Sequence, residues 1–290
     1  MSICQMCPRA CRADRTEGTL GFCRAPDLYL VSRVALHPFE EPAICGKNGS
    51  GTIFFGGCNL GCVYCQNRAI SRGQKGKLMH EKELEQAIFS LVEQGASHIN
   101  LVTPTHYTLP LASLLEKIKH RLPIPVVWNC GGYESTESLR ALDGLVDIYL
   151  PDIKYHSPTL AEKYSHAANY KEVASAALLE MYRQRGNVLF DDDGQMTSGV
   201  MVRHLVLPTC RKDSMEVLRT LAALLPVKGI QLSLMSQYTP DFVDKTAYPE
   251  LARCVTSFEY NSVLDLALSL GFEGYFQGRD SAKKDYTPNF

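Results

Sequence analysis

The strongest constraint on the fold is an alternation repeated six times: a short apolar, β-branched run, then a segment with apolar residues at helical spacing. The predicted strands cover residues 52–55, 98–102, 125–129, 147–150, 200–207 and 229–234. After the first comes a helix carrying Leu84, Ala87, Ile88, Leu91 and Val92 on one face, with Gly95 where a left-handed cap belongs. The next helix carries Leu111, Leu114, Leu115 and Ile118, and a short one opens at Ser135 or Thr136 and closes at Gly144. Further helices run over about residues 171–185, from Asp213 with Glu216 in the capping-box position, and over 257–270 before Gly271. Strands apolar on both faces belong in parallel sheets covered by helices. The prediction is an α/β fold, with a hairpin around Asp192-Asp193-Gly194 before the fifth strand and residues 274–276 as a further edge.

The same alternation builds an open doubly wound sheet or a barrel, and periodicity does not choose between them. In both, loops converge at the C-terminal ends of the strands, so functional side chains are expected there. At 290 residues and 45% hydrophobic content the chain can bury a sizeable core. Its formal net charge of −1 supplies no global pull toward nucleic acid or an anionic membrane. No run reaches the roughly 18 apolar residues of a spanning helix, and no signal-peptide core follows Met1, so a cytoplasmic location is expected. Two regions are expected: a cysteine-rich extension and irregular lead-in at 1–51, and the βα domain at 52–290. Pro26, Pro38, Pro42, Gly46, Gly49 and Gly51 are the breakers behind the irregular lead-in.

Seven of the eleven cysteines fall into two tight clusters, a pattern that reads as metal ligation rather than disulfides in a reducing compartment. Cys58, Cys62 and Cys65 directly follow the first strand and Gly56-Gly57, with spacing C-x3-C-x2-C. Three thiolates can bind three irons of a cubane and leave the fourth iron open to a small molecule, whereas four would close it. A zinc ion with a distant fourth ligand, or three unrelated core thiols, is the alternative. With Tyr64 beside Cys65, the motif C-x3-C-x-aromatic-C after the first strand resembles the radical S-adenosylmethionine (SAM) superfamily. More narrowly, Gly56-Gly57-Cys58-Asn59-Leu60-Gly61-Cys62 and the later strands resemble proteins related to the pyruvate formate-lyase activating enzymes, oxidoreductases of which one branch also has N-terminal cysteines. The likeness runs from about Thr52 to Phe276.

The resemblance implies a partial (β/α)6 barrel of the radical SAM type, preceded by the cysteine-rich extension. It implies a [4Fe–4S] cluster whose open iron chelates S-adenosyl-L-methionine. One electron from a flavodoxin or ferredoxin donor then cleaves the sulfonium, giving a 5′-deoxyadenosyl radical that abstracts hydrogen from a substrate. Tyr64, Gln66 and Asn67, beside the cluster motif, are candidate cofactor contacts. Thr103, Thr105 and His106 follow strand two where the family commonly has Gly-Gly-Glu-Pro. Their side chains could hydrogen-bond an ammonium or adenine edge, or simply form a turn around Pro104. Asn129 resembles the asparagine that neighbours the ribose. Asp152 and Lys154 lie on one side of strand four by its period of two. They resemble the Asp-x-Lys step of the activating enzymes and are the candidate catalytic pair. Arg203, in an apolar strand, needs a partner: the cofactor's carboxylate or Asp152. Gln237, after strand six, is expected to meet the adenine or the substrate.

Cys4, Cys7, Cys11 and Cys23 supply enough thiolates to close a second site, either a structural zinc knuckle or an auxiliary iron–sulfur cluster. The resemblance implies an activase whose protein substrate is a glycyl-radical enzyme. Two departures weigh against that subtype. The Gly-Gly-Glu step is missing, and the extra cysteines precede the barrel instead of forming an insert after the cluster motif. Radical modification of a peptide, RNA or small molecule is the second reading, and a non-catalytic iron–sulfur or zinc module the third.

Overall fold

The computed structural model describes residues 4–72 and 75–278. In chain order the elements begin with β1 (Tyr29–His37), α1 (Pro42–Cys45), β2 (Ser50–Phe55), α2 (Arg68–Ser71), β3 (Lys77–Met79), α3 (Glu81–Glu93) and β4 (Ile99–Val102). They continue with α4 (Thr108–Ile118), β5 (Val126–Cys130), α5 (Thr136–Arg140), β6 (Ile148–Pro151), α6 (Pro158–Ser165) and α7 (Tyr170–Arg185). The chain closes with β7 (Leu189–Phe190), β8 (Met196–Leu205), α8 (Arg211–Leu224), β9 (Gln231–Met235), α9 (Ser257–Ser269) and β10 (Gly274–Phe276).

The strands form one sheet in the order β10-β9-β8-β6-β5-β4-β2-β1-β3, with β7 paired to β8 as the predicted hairpin. From β2 to β10 every neighbouring pair is parallel. The edges β3 and β10 do not pair with each other, so the sheet stays open and the six repeated units make a partial (β/α)6 barrel. Helices cover its outer face. Leu84, Ile88 and Leu91 of α3 and Leu111, Leu114 and Leu115 of α4 are fully buried against strand residues such as Ile53, Leu101 and Trp128. Each such side chain contributes about 1.5–3 kcal/mol of transfer free energy. Gly95 takes the left-handed φ that its place after α3 requires.

Three expectations need correction. The lead-in is not irregular: β1 pairs antiparallel with β2, placing Ala35 opposite Thr52. Its prolines, Pro26 and Pro38, fall outside the strand, and the run between them has the β-branched and apolar residues that pair well. After β1 the chain turns into the barrel. Ala43 and Ile44 of α1 pack on Val127, Ile148, Leu150, Met196 and Met201. Helix α6 was not predicted, because only Ala161, Tyr164 and Ser165 of its eight residues are buried. Asp213, expected to cap α8, lies inside that helix. Its carboxylate instead accepts the backbone N–H groups of His156 at 3.1 Å and Ser157 at 2.7 Å, fixing the entry to α6. No helix among the described residues is long and apolar enough to cross a membrane.

Candidate active site

The loop carrying the three close cysteines leaves the C-terminal end of β2. Gly57 has φ +90°, and a Cβ there would sit 2.5 Å from the carbonyl oxygen of Cys23. Only glycine lets the N-terminal segment cross so closely behind this loop. The loop is tied down by Gly57 N–H donating to Ile70 O at 2.8 Å and Val63 N–H donating to Tyr164 O at 2.9 Å. Cys58, Cys62 and Cys65 then line one cavity of about 130 Å³ with Asn67, Thr103, Asn129, Asp152, Lys154 and Arg203. Strand ends thus supply the walls, as a parallel barrel requires.

The sulfur atoms carry donors suited to thiolates. Leu60 N–H donates to Cys58 Sγ at 3.4 Å and the Ser165 hydroxyl to Cys62 Sγ at 2.9 Å. Burial pushes the Cys65 thiol up to about 12, and Cys62 and Cys58 nearby add to the rise. Cys62 is also raised by burial, against the pull of Lys154. Such thiols keep their protons at neutral pH until a metal displaces them. Among the described residues no three His, Cys, Asp or Glu side chains converge on one metal-ion position. A lone zinc needs its donors about 2.0–2.3 Å from a single centre, whereas a cubane places each thiolate on a different iron. Three thiolates from one loop can each take a different iron of a cubane, leaving the fourth iron open.

Opposite the cysteines lies a network of charges. Arg203 donates to Asp152 Oδ1 at 2.8 Å, Glu40 Oε1 at 3.1 Å and Asn129 Oδ1 at 2.6 Å. Lys154 Nζ donates to Asp152 Oδ2 at 2.7 Å. Burial would raise the Asp152 carboxyl, but Arg203 and Lys154 outweigh it and hold the carboxyl below its usual range. Burial would lower Lys154, yet Asp152 and Cys62 more than reverse this. The pair is therefore ionised. Glu40, which the sequence reading missed, also accepts from Asn100 Nδ2 at 2.7 Å and Asn129 Nδ2 at 3.1 Å. The available signal was the Glu40-Glu41 pair in an otherwise breaker-rich segment, together with an arginine needing a partner. Glu41 accepts from Ser233 Oγ at 2.7 Å, and burial, opposed by Arg203, pushes its carboxyl up to about 7.

A larger cleft of about 460 Å³ adjoins the cavity, sharing Asn67, Val102, Asn129 and Arg203 with it. Gln66, Gln237, Glu40 and Glu41 line this cleft. The structure places three candidate cofactor contacts elsewhere. Thr105 donates its hydroxyl to buried Glu134 at 2.6 Å, and His106 Nε2 bonds Gly56 O at 2.9 Å. The Tyr64 hydroxyl meets that of Tyr155 at 2.7 Å. Thr105 and His106 lie on the single 3-10 turn Thr105–Tyr107, and neither they nor Tyr64 line the cavity or the cleft. Thr103 does face the cavity, at a left-handed φ of 57° that a β-branched residue rarely adopts.

In the extension, Cys4, Cys7 and Cys23 are buried and Cys11 is exposed. Burial pushes Cys7 up to about 12, and Cys23 and Cys4 lie close enough to add to it. Arg9 docks the segment on the barrel, donating to Asn59 O at 2.8 Å and Ser165 O at 3.1 Å while stacking 4.0 Å above the Phe22 ring. Arg15 adds a bond of 2.6 Å to His106 O and one of 3.5 Å to Cys23 Sγ.

The open parallel barrel and the cysteine loop at its mouth define the class, and a family model described as the Radical SAM superfamily matches residues 52–188. The chain belongs to the radical SAM superfamily. Membership implies a [4Fe–4S] cluster and S-adenosylmethionine, and the donor set around Cys58, Cys62 and Cys65 fits the cluster. An uncharacterised protein of Methanocaldococcus jannaschii is 30% identical over 277 residues, covering 91% of this chain and 74% of that protein. Among solved structures, Streptococcus suis SuiB bound to the precursor peptide SuiA has a TM-score of 0.52 at 9% identity, covering 76% of this chain and 46% of SuiB. A methylornithine synthase has a TM-score of 0.50 at 16% identity, covering 75% of this chain and 63% of the synthase. The chain spans less than two thirds of the length of either, and these likenesses are of fold.

Proposed function

We propose that this protein cleaves S-adenosylmethionine reductively at a cluster held by Cys58, Cys62 and Cys65 and takes a hydrogen atom from a substrate. The observation carrying this reading is that Cys58, Cys62 and Cys65, all from one loop, line the cavity, with Cys130 of β5 in the facing strand wall, while the wider cleft opens beside them. Cluster and S-adenosylmethionine together supply a 5′-deoxyadenosyl radical. The chain's own side chains bind and orient: Asp152 and Lys154, the candidate catalytic pair, hold opposite charges at the cavity wall, and Arg203 and Asn129 bridge the cavity to the cleft. Gln66, Asn67, Thr103 and Gln237 present polar groups to a bound cofactor or substrate. The surrounding walls keep water away from a reactive intermediate.

For the substrate, the motif resemblance favours a glycyl-radical enzyme, with a flavodoxin or ferredoxin as electron donor. Cys4, Cys7, Cys11 and Cys23 are proposed to hold a second metal centre, zinc or iron–sulfur, that fastens the extension behind the cluster loop. About eight irons per chain means two cubanes, and about four with one zinc means the knuckle. Anaerobic protein reduced with dithionite is expected to form 5′-deoxyadenosine, and Cys58→Ala to lose that activity with unchanged unfolding behaviour. Cleavage that survives in Cys58→Ala rules the reading out. Co-incubation with a glycyl-radical enzyme is expected to give a glycyl signal by electron paramagnetic resonance. Without that signal, a mass change in another substrate during turnover identifies a different radical modification.

A further inference from the structure

Ser165, the last residue of α6, belongs to none of the motifs read from the sequence, yet its side chain is 0% exposed and ends at a cluster cysteine. Its hydroxyl donates to Cys62 Sγ at 2.9 Å and also meets Tyr155 Oη at 2.8 Å. A serine hydroxyl has one proton. With that proton on the sulfur, Tyr155 must be the donor to Ser165. Tyr155 has then spent its own proton, so Tyr64 Oη, 2.7 Å away, must donate to Tyr155. The direction of the chain is thereby forced: Tyr64 to Tyr155 to Ser165 to Cys62. In such a run each hydroxyl is polarised by the one behind it, so the last one donates more strongly than an isolated serine.

The position of Ser165 is held from a second side. Its backbone carbonyl accepts from Arg9 of the N-terminal extension at 3.1 Å, and His166 after it adopts a left-handed φ of 54° that ends the helix there. Three buried hydroxyls in series are costly to desolvate unless each is satisfied. Here all are satisfied, and the series terminates on a sulfur that is to carry negative charge.

We propose that Ser165 is a positioning residue that sets the reduction potential of the cluster through its hydrogen bond to Cys62, with Tyr155 and Tyr64 aligning and strengthening that bond. The inference rests on the cluster assignment made above. Reduction adds one electron from a one-electron donor and breaks no bond, so dithionite is the only co-reactant the test needs. A donor on a ligand sulfur stabilises the more negative, reduced form, so removing it makes reduction harder.

The test is a redox titration of anaerobically reconstituted full-length protein, followed by the electron paramagnetic resonance signal of the reduced cluster. Ser165→Ala is expected to keep its iron and sulfide but lower the reduced-to-oxidised ratio at a fixed poise by roughly three- to tenfold, the scale of one charge-assisted hydrogen bond. Ser165→Thr, which keeps the hydroxyl, is expected to stay near the parent, and Tyr155→Phe to shift in the same direction by less. An unshifted Ser165→Ala with its cluster intact overturns the proposal, as does an equal shift in Ser165→Ala and Ser165→Thr. Should Ser165→Ala fail to assemble a cluster, an unshifted Tyr155→Phe overturns it. A parent protein with no cubane signal removes the cluster reading itself, a failure distinct from the others.

Discussion

Arg203 concentrates the residue-scale physics of the site. Its guanidinium reaches Asp152, Glu40 and Asn129 at once, with the Arg203 side chain 15% and the Glu40 side chain 9% exposed. The rigid, forked geometry of arginine suits three acceptors in a way a lysine ammonium does not. Removing one member of a buried ion pair leaves an uncompensated charge, at a typical cost of about 3–5 kcal/mol. Arg203→Met is therefore expected to lower unfolding free energy by about that much in urea denaturation. Adding Glu40→Gln should recover part of the loss, because one stranded carboxylate is then gone. A single-variant loss under about 1 kcal/mol would contradict the network as described. The sequence alone could say that an arginine in an apolar strand needs a partner, and Asp152 was one of two candidates. Glu40 was invisible, because a partner 163 residues away is brought near only by the fold.

At the scale of elements, the segment from β1 to α1 does more than lead into the barrel. Val127, Leu150 and Met201 lie two residues before Asn129, Asp152 and Arg203, hence on the same sheet face. By packing on them, Ala43 and Ile44 form a floor below the charged site, and Glu40 and Glu41 rise from that floor into the cleft. Glu41 makes stability depend on pH in a definite sense. Its folded-state carboxyl lies at about 7, above the usual 4.5, so the folded chain holds a proton there that the unfolded chain has released. Stability from this group falls as pH rises from 4.5 through 7 and stays reduced above. Glu41→Gln is expected to raise the melting temperature relative to the parent at pH 8, with the gain fading at pH 5. An equal gain at both pH values would exclude the mechanism. The cysteine loop and the parallel strands were legible because their signals are local: a spacing within eight residues, and runs of apolar side chains. β1 and the floor were not, because their prolines read as breakers and their packing partners lie far along the chain.

For the molecule as a whole, the open barrel sets the cluster loop, the charged wall and the cleft at one end, where the parallel strands finish. The N-terminal extension presses on the back of the same loop, through Gly57 against Cys23 and through Arg9 on Asn59 and Ser165. The cysteine loop is thus held between the barrel and the extension, so the second metal centre proposed for the extension would act on a segment in direct contact with this loop. Legibility stops at this level, since four cysteines near a terminus imply a metal site but not the surface against which it docks. What remains decisive is whether the iron left without a protein ligand exists and is open. The measurement is the electron paramagnetic resonance spectrum of the anaerobically reduced protein before and after S-adenosylmethionine is added. A cubane signal that changes on addition, and is missing in Cys65→Ala, is the predicted result. A signal indifferent to S-adenosylmethionine, or one that persists without Cys65, would contradict the open iron on which the function depends.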